Sequence, residues 1–296
     1  MKKIHKSILI LVTFLIFLLL CVIYSEVLLV HILDYSKLFL TKVFPASFIF
    51  YILSTLLIEY GIIQVFFNVF HIDASSFYVL LLSLISGFPS GAKYTKELLE
   101  KKLINEEEAN QIIRFSHFPN PLFVLGVVSS ILKNSDIAFK ILLAIMFSNL
   151  FLFLFRRKSK KTFFLENEVS IPKFSNTLSK AIHQAFNTLI LIYGTSLFFY
   201  LISFFIINFF AFNSFSFVFI SGLFDLTKGV FSTSVFSNTF LQALFIIFFI
   251  SFGGISIHMQ VLAIISDTNI SYKNFLLGRI IGTILSIFLF LFFWGI

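Results

Sequence analysis

Lys93 and Lys228 each close a short polar interruption in an otherwise apolar chain, and the two interruptions share a pattern. The first reads Ser86-Gly87-Phe88-Pro89-Ser90-Gly91-Ala92-Lys93 and the second Ser221-Gly222-Leu223-Phe224-Asp225-Leu226-Thr227-Lys228-Gly229. Ser86, Gly87 and Lys93 thus recur in register as Ser221, Gly222 and Lys228. A cation at membrane depth is costly, so it marks a task such as pairing with an anionic solute. The structural alternative is that each lysine snorkels to the interface or meets a carboxylate, as Lys228 can with Asp225. Gly87, Gly91, Gly222 and Gly229 let backbone turn and approach closely, leaving half-helix N-termini with unpaired N–H groups and partial positive charge. Ser86, Ser90, Asn120, Ser221 and Thr227 supply neutral hydrogen bonds, either to a solute or to the broken helix ends themselves.

His258 and Gln260 follow Gly253-Gly254 and are candidates for solute contact or proton relay, since histidine titrates near neutral pH; Gly254 belongs to the same group. Glu26 and Glu59 lie in or near apolar runs. Glu59, with Gln64 close by, is either a coupling-ion site or a helix-helix contact. Broken backbone survives in a bilayer only where protein or a water-filled cavity replaces the lost partners. Two such breaks in matching halves point to a transporter's substrate site.

The elements that must position these residues follow from composition. With 58% hydrophobic and 12% charged residues and a mean hydropathy of +1.00, the chain reads as a polytopic membrane protein, all-α in fold class. Its net charge of +8 follows the positive-inside bias of loops beside apolar spans and does not imply a nucleic-acid partner. The lone Cys21 offers neither a disulfide framework nor a thiolate metal cluster. Zinc-helix, phosphate-loop and nucleophile-elbow motifs are missing, so no enzyme activity, metal or cofactor is expected.

Apolar runs that approach the length of a span cover 7–30, 44–70, 118–132, 137–155, 183–211, 239–265 and 275–295, whereas 77–88 and 215–224 are too short and read as half-helices or re-entrant hairpins. Residues 1–30 carry Lys2, Lys3, His5 and Lys6 before the apolar run and lack a small-x-small cleavage site, so they read as a retained first span entering from the cytoplasm. The basic stretch from Arg156 to Lys161, continuing to Lys173 and Lys180, reads as a cytoplasmic loop at 156–182 that divides a first membrane half, 1–155, from a second, 183–296. On that count the two hairpins enter from opposite sides, as in an inverted-repeat transporter. A second break follows each glycine motif, at Ser116-His117-Phe118-Pro119-Asn120-Pro121 and at Ser251-Phe252-Gly253-Gly254-Ile255-Ser256. Between the first two breaks, Tyr94–Arg114 is charged and predicts a short helix pair at the cytoplasmic surface, with Asn105 and Glu108 forming a capping box.

The string Ser86 through Lys93, the turn Leu103-Ile104-Asn105-Glu106-Glu107-Glu108-Ala109, the break Phe115 through Phe123 and the segment Phe252 through Gln260 together resemble the YlbJ family of sporulation integral membrane proteins. That family belongs to the nucleoside-recognition Gate-domain group and is related in architecture to concentrative nucleoside transporters. The resemblance covers roughly residues 40–290 and implies a spore-former's protein, made in the mother cell and resident in the outer forespore membrane, that moves dipicolinate toward the forespore. The chain departs from the family pattern at Asp225, where a glutamate is expected, and at His117 and Phe118, which replace small or amide residues. On this reading the bilayer and a small anionic solute, held between half-helix ends and Lys228, are the partners. Other sporulation membrane proteins or a second copy of the chain are further candidates. The rival readings are a nucleoside or other small-solute permease, and a non-transporting scaffold that recruits sporulation proteins through 94–114.

Overall fold

The computed structural model describes residues 2–61, 74–156, 172–210 and 212–295, and among them the regular structure is helical with no strand. Among the described residues, five helical runs are long and apolar enough to cross a bilayer: Ser25–Glu59, Ser135–Leu154, Phe174–Phe209, Thr239–Ile265 and Tyr272–Trp294. The all-α polytopic class expected from composition is therefore what the chain adopts.

The chain divides into two units, Met1–Thr41 and Lys42–Ile296. The first holds α1 (Lys2–Ile23) and α2 (Ser25–Leu38), which meet at a turn on Tyr24 inside the expected 7–30 span. Apolar side chains such as Leu9, 68% exposed, lie on its outside, and the Thr13 and Ser36 hydroxyls donate to carbonyls one turn back, as a lipid-facing helix requires. His31, Asp34 and Lys37 lie within α2 where the spans at 7–30 and 44–70 left a connecting stretch. Charge alone does not break a helix, and no Gly or Pro interrupts this one.

The second unit begins with the π-helical end Lys42–Val43 and α3 (Phe44–Glu59). It continues through α4 (Ala74–Ser86), α5 (Ser90–Glu100), α6 (Glu106–Phe115), a π-helical turn Phe123–Val128 running into α7 (Ser129–Leu132), and α8 (Ser135–Leu154). After it come α9 (Phe174–Phe209), α10 (Ser214–Phe224), α11 (Leu226–Ser232), α12 (Thr239–Phe252), α13 (Ile255–Ile265) and α14 (Tyr272–Trp294). One order of parts thus occurs twice: long helix, broken hairpin, broken helix, long helix. Corresponding members pack on each other, α3 on α9 and α8 on α14. The Ser148 hydroxyl of α8 donates to Gly282 O of α14 at 2.8 Å, which allows those two backbones to close together.

Residues 118–132, expected as a span, are instead the second part of a broken helix whose first part is α6. Residues 116–120 are non-helical between them. Pro119 and Pro121 remove two donors, and Asn120 Oδ1 accepts the Leu122 and Phe123 N–H groups at 2.8 and 3.4 Å, so helix restarts only after Asn120. The stretch 239–265 breaks in the same way at Gly253, whose φ is +77°. Gln64 and residues 157–171 of the expected basic loop lie outside the described residues.

The capping box at Asn105 and Glu108 is formed in both directions, at 2.9 and 3.0 Å. Asn105→Ala should destabilise the start of α6 by about 1 kcal/mol. Amide exchange in its first turn should then quicken roughly fivefold. The α5–α6 pair is not a free surface appendage: Leu98, Ile104, Ile112, Ile113 and Phe115 are buried in one apolar cluster with Val261 and Phe275. Polar bonds pin its outer edge. Lys96 Nζ lies 2.6 Å from Asp267 and, by that hydrogen bond, holds the Asp267 carboxyl below the usual carboxylate range. Asn110 Oδ1 accepts from Ser271 N at 2.7 Å.

Candidate functional site

The two hairpins turn by different means. In the first, Gly87 takes φ +79° between α4 and α5, and a Cβ there would sit 2.7 Å from Asn120 N. The Phe88 carbonyl that this turn exposes accepts the Tyr51 hydroxyl of α3 at 2.9 Å. In the second, Gly222 lies inside α10 and does not turn the chain, contrary to expectation. The break falls three residues later at Asp225, whose Oδ1 accepts Lys228 N–H at 2.8 Å and so caps α11. A side chain replaces a glycine as the breaking device. Gly222 serves close approach instead: a Cβ on it would meet the Phe249 ring at 2.2 Å, and one on Gly254 would lie 2.8 Å from Gly222 O. Each hairpin thus seats against the broken helix of its own half.

Around these breaks lies a cleft of about 490 Å³ of empty volume, of which about 40 Å³ admits the centre of a water molecule. Its polar lining comes from Ser47 of α3, Asn120, Ser196 of α9, Asp225 and Thr227 at the second break, and Ser256 and Gln260 of α13. Phe88, Phe123 and Ile257 supply apolar wall. Helices start beside it after Asn120, Asp225 and Gly254, and at the first two the Asn120 and Asp225 side chains accept the leading N–H groups themselves. Asp225 is 1% exposed, and Ser256 Oγ donates to its Oδ2 at 3.2 Å. Gln260 Nε2 reaches Ser196 Oγ at 3.5 Å, while its Oε1 is buried without a hydrogen-bond partner.

Of the residues singled out in the sequence, Asn120, Asp225, Thr227 and Gln260 meet in this lining. The others lie elsewhere. Ser86 Oγ donates to Leu82 O at 2.8 Å and lies 2.9 Å from Tyr94 OH, in a buried polar group that also holds Ser54. Ser90 is buried at the first turn of α5, and Ser221 is buried within α10. Gly91 packs on the Ser116 carbonyl. Lys93 Nζ donates to Gln184 Oε1 of α9 at 3.4 Å, and the Lys228 ammonium lies 5.3 Å from the centre of the Tyr200 ring. Neither lysine lines the cleft; a flexible four-carbon stem carries the head away from its backbone position. Glu59 pairs with Lys180 of α9 at 2.8 Å, a helix-helix contact. His258 Nδ1 lies 2.8 Å from Tyr272 OH and its Nε2 3.1 Å from Phe252 O, beside rather than in the cleft.

The residue that sequence reasoning missed is Arg279 of α14, 1% exposed. Its guanidinium donates to Arg114 O at the end of α6 (2.8 Å), to Ser251 O at the end of α12 (3.2 Å) and to Asn149 Oδ1 of α8 (3.1 Å). Both broken helices thus end on one cation, which suits their negative C-terminal dipoles. Asn149 Nδ2 in turn donates to His117 O at 3.0 Å, and His117 stacks on Phe88 of the cleft wall with ring centres 4.9 Å apart. The signal was present: a single arginine inside the apolar run 275–295.

No family model matches the chain, and no solved structure matches it. Among curated proteins, the chain is similar to "Sporulation integral membrane protein YlbJ" of Bacillus subtilis (strain 168), 25% identical over 289 residues, covering 81% of this chain and 71% of the relative.

Proposed function

We propose that this relative of YlbJ is a membrane carrier for a small solute, with dipicolinate of the outer forespore membrane as its first candidate substrate. The observation that carries the reading is a narrow, mostly apolar cleft between elements of both halves whose wall holds seven polar side chains, Ser47, Asn120, Ser196, Asp225, Thr227, Ser256 and Gln260. The helix starts after Asn120 and Gly254 add partial positive charge beside it without burying a full cation. The two carboxylates of dipicolinate are then met by helix ends and by Ser47, Asn120, Ser196 and Thr227, not by Lys228. About 40 Å³ of water-accessible space is too little for a free aromatic diacid, so turnover includes an opening of the hairpins relative to α3 and α9.

A second reading, a neutral hydrogen-bonding solute such as a nucleoside, is favoured by Asp225, the one carboxylate among the described residues of the lining. Asp225→Asn separates the two. For an anionic solute, removing the negative charge should leave uptake intact or tighten half-saturation several-fold. For a neutral solute bound by the carboxylate, uptake should fall at least tenfold. The scaffold reading has less support, because the apolar side of the α5–α6 pair is used in the core.

The test is uptake of labelled dipicolinate into proteoliposomes of the full chain, competed with nucleosides, with and without a proton or sodium gradient. Uptake above empty vesicles is expected. No uptake in either orientation would remove the carrier reading.

A further inference from the structure

A cleft too narrow for its solute has to open, and the first hairpin, α4–α5, is held to α3 in two different ways. Along its shafts the contact is apolar: Val79, Leu80, Leu82 and Leu98 belong to one buried cluster, and Leu57 and Ile58 of α3 pack against it. Apolar packing is non-directional and loses no particular partner in a small tilt. At the tip the contact is polar. The Tyr51 hydroxyl of α3 donates to Phe88 O at 2.9 Å, beside the left-handed turn at Gly87. Phe88 stands in the cleft wall, whereas Tyr51, 5% exposed, is not among the residues that line it.

Among the described residues, the phenol is the hydrogen-bond donor that Phe88 O has. A buried carbonyl at membrane depth needs a donor, so the closed tip depends on this one. Once water reaches the tip, it can satisfy carbonyl and phenol alike, and the net strength of the bond becomes modest. A contact that is needed when dry and cheap to break when wet suits a moving part. Tyr94 of α5 also meets α3 but does something different. Its hydroxyl donates to Ser54 Oγ at 3.2 Å and lies 2.9 Å from Ser86 Oγ. Both serine hydroxyls also donate to carbonyls of their own helices, Phe50 O and Leu82 O, each at 2.8 Å, so no backbone group of the tip depends on Tyr94.

We propose that Tyr51 is a positioning residue that latches the first hairpin: its bond to Phe88 O holds the cleft closed and is broken and remade at each opening. The latch rests on the carrier reading for what passes it, while the movement itself can be followed without a solute.

Ser90→Cys places a thiol on the first turn of α5, where the native residue is 1% exposed, in a full chain whose lone Cys21 is replaced by serine. Alkylation of that thiol by N-ethylmaleimide in vesicles reads how often the tip opens. Adding Tyr51→Phe, which removes only the oxygen, should speed alkylation roughly fivefold, the factor that corresponds to one buried hydrogen bond. Adding Tyr94→Phe should leave the rate nearly unchanged. In the uptake assay, with Ser90 intact, Tyr51→Phe should raise half-saturation by roughly the same factor without lowering the rate at saturation. A role in stability alone would instead lower the thermal midpoint and the amount of active protein, and leave half-saturation where it was. Tyr51→Met carries the same expectations should the phenylalanine variant fail to fold. Alkylation unchanged by loss of the phenol, or quickened equally by Tyr94→Phe, would overturn the latch, as would an unchanged half-saturation in a chain that transports. Alkylation quickened by Tyr51→Phe in a chain that takes up no solute would remove the carrier reading and leave the latch standing.

Discussion

Arg279→Met should lower the thermal midpoint of the detergent-solubilised protein by roughly 10 °C, on the scaling of a few degrees per kcal/mol for a chain of this size. Methionine fills the space but donates nothing, leaving Arg114 O, Ser251 O and Asn149 Oδ1 short of a donor at one buried point. An unsatisfied buried acceptor costs about 1–3 kcal/mol in water-soluble proteins and less where a membrane-embedded reference state offers other partners, so a total of about 2–5 kcal/mol is expected. Arg279→Lys keeps the charge but has fewer donors in a different geometry, and should recover only part of the loss. A melt unchanged by both substitutions would show that the two helix ends do not depend on the guanidinium. Because His117 links this network to the Phe88 wall, the carrier reading also expects the lysine variant to transport more slowly at saturating solute even where it is folded.

On the carrier reading, Gly91→Ala should have the second large effect, with uptake falling at least tenfold. An alanine Cβ there would lie 1.8 Å from Ser116 O and 2.8 Å from Ser116 C, both backbone atoms that cannot rotate aside. The first hairpin must lift from its broken helix, at a cost typical of overpacking, about 1–3 kcal/mol or more. Asn120 and Phe88, one from each of those elements, would then separate across the cleft. Gly194→Ala supplies the control, because nothing lies within 4 Å of a Cβ at Gly194 and the residue sits in the middle of α9. It should leave uptake unchanged and stabilise the helix by up to about 1 kcal/mol. Equal behaviour of the two variants would refute the close-packing account of the first glycine motif.

Local chemistry was the legible part of this fold. Asn105 and Glu108 announce a helix start because a capping box is complete within four residues, and the Pro119-Asn120-Pro121 and Gly253-Gly254 breaks announce themselves because missing donors and left-handed backbone are local matters. Where apolar count was allowed to outvote those signals, as in 118–132, the expectation failed. The cleft was only half legible. Asn120 and Asp225 stand at breaks and could be found, but Ser47, Ser196 and Ser256 are three serines among many in apolar helices, and tertiary packing alone selects them. Lys93 and Lys228 misled for a physical reason: a lysine's register in a motif fixes its Cα, while its ammonium lies several bonds away. Arg279 could have been read from its isolation in the last span.

On the carrier reading, the narrowness of the central cleft bears on the cell's energy balance as well as on the solute. A buried water needs on the order of 10–15 Å³ of such volume. The 40 Å³ present therefore has room for no more than about three waters. Three waters make a short file, walled by Phe88, Phe123 and Ile257, not a continuous wire from one face of the membrane to the other. A carrier with such a cleft is expected to be electrically quiet at rest, neither shunting protons nor dissipating the potential that a gradient-driven step would draw on. On the carrier reading, residues that hold the packing around the cleft, Gly91 and Arg279 among them, would guard against leak as well as support the site, and loosening either should appear as proton permeability in vesicles before any solute is added.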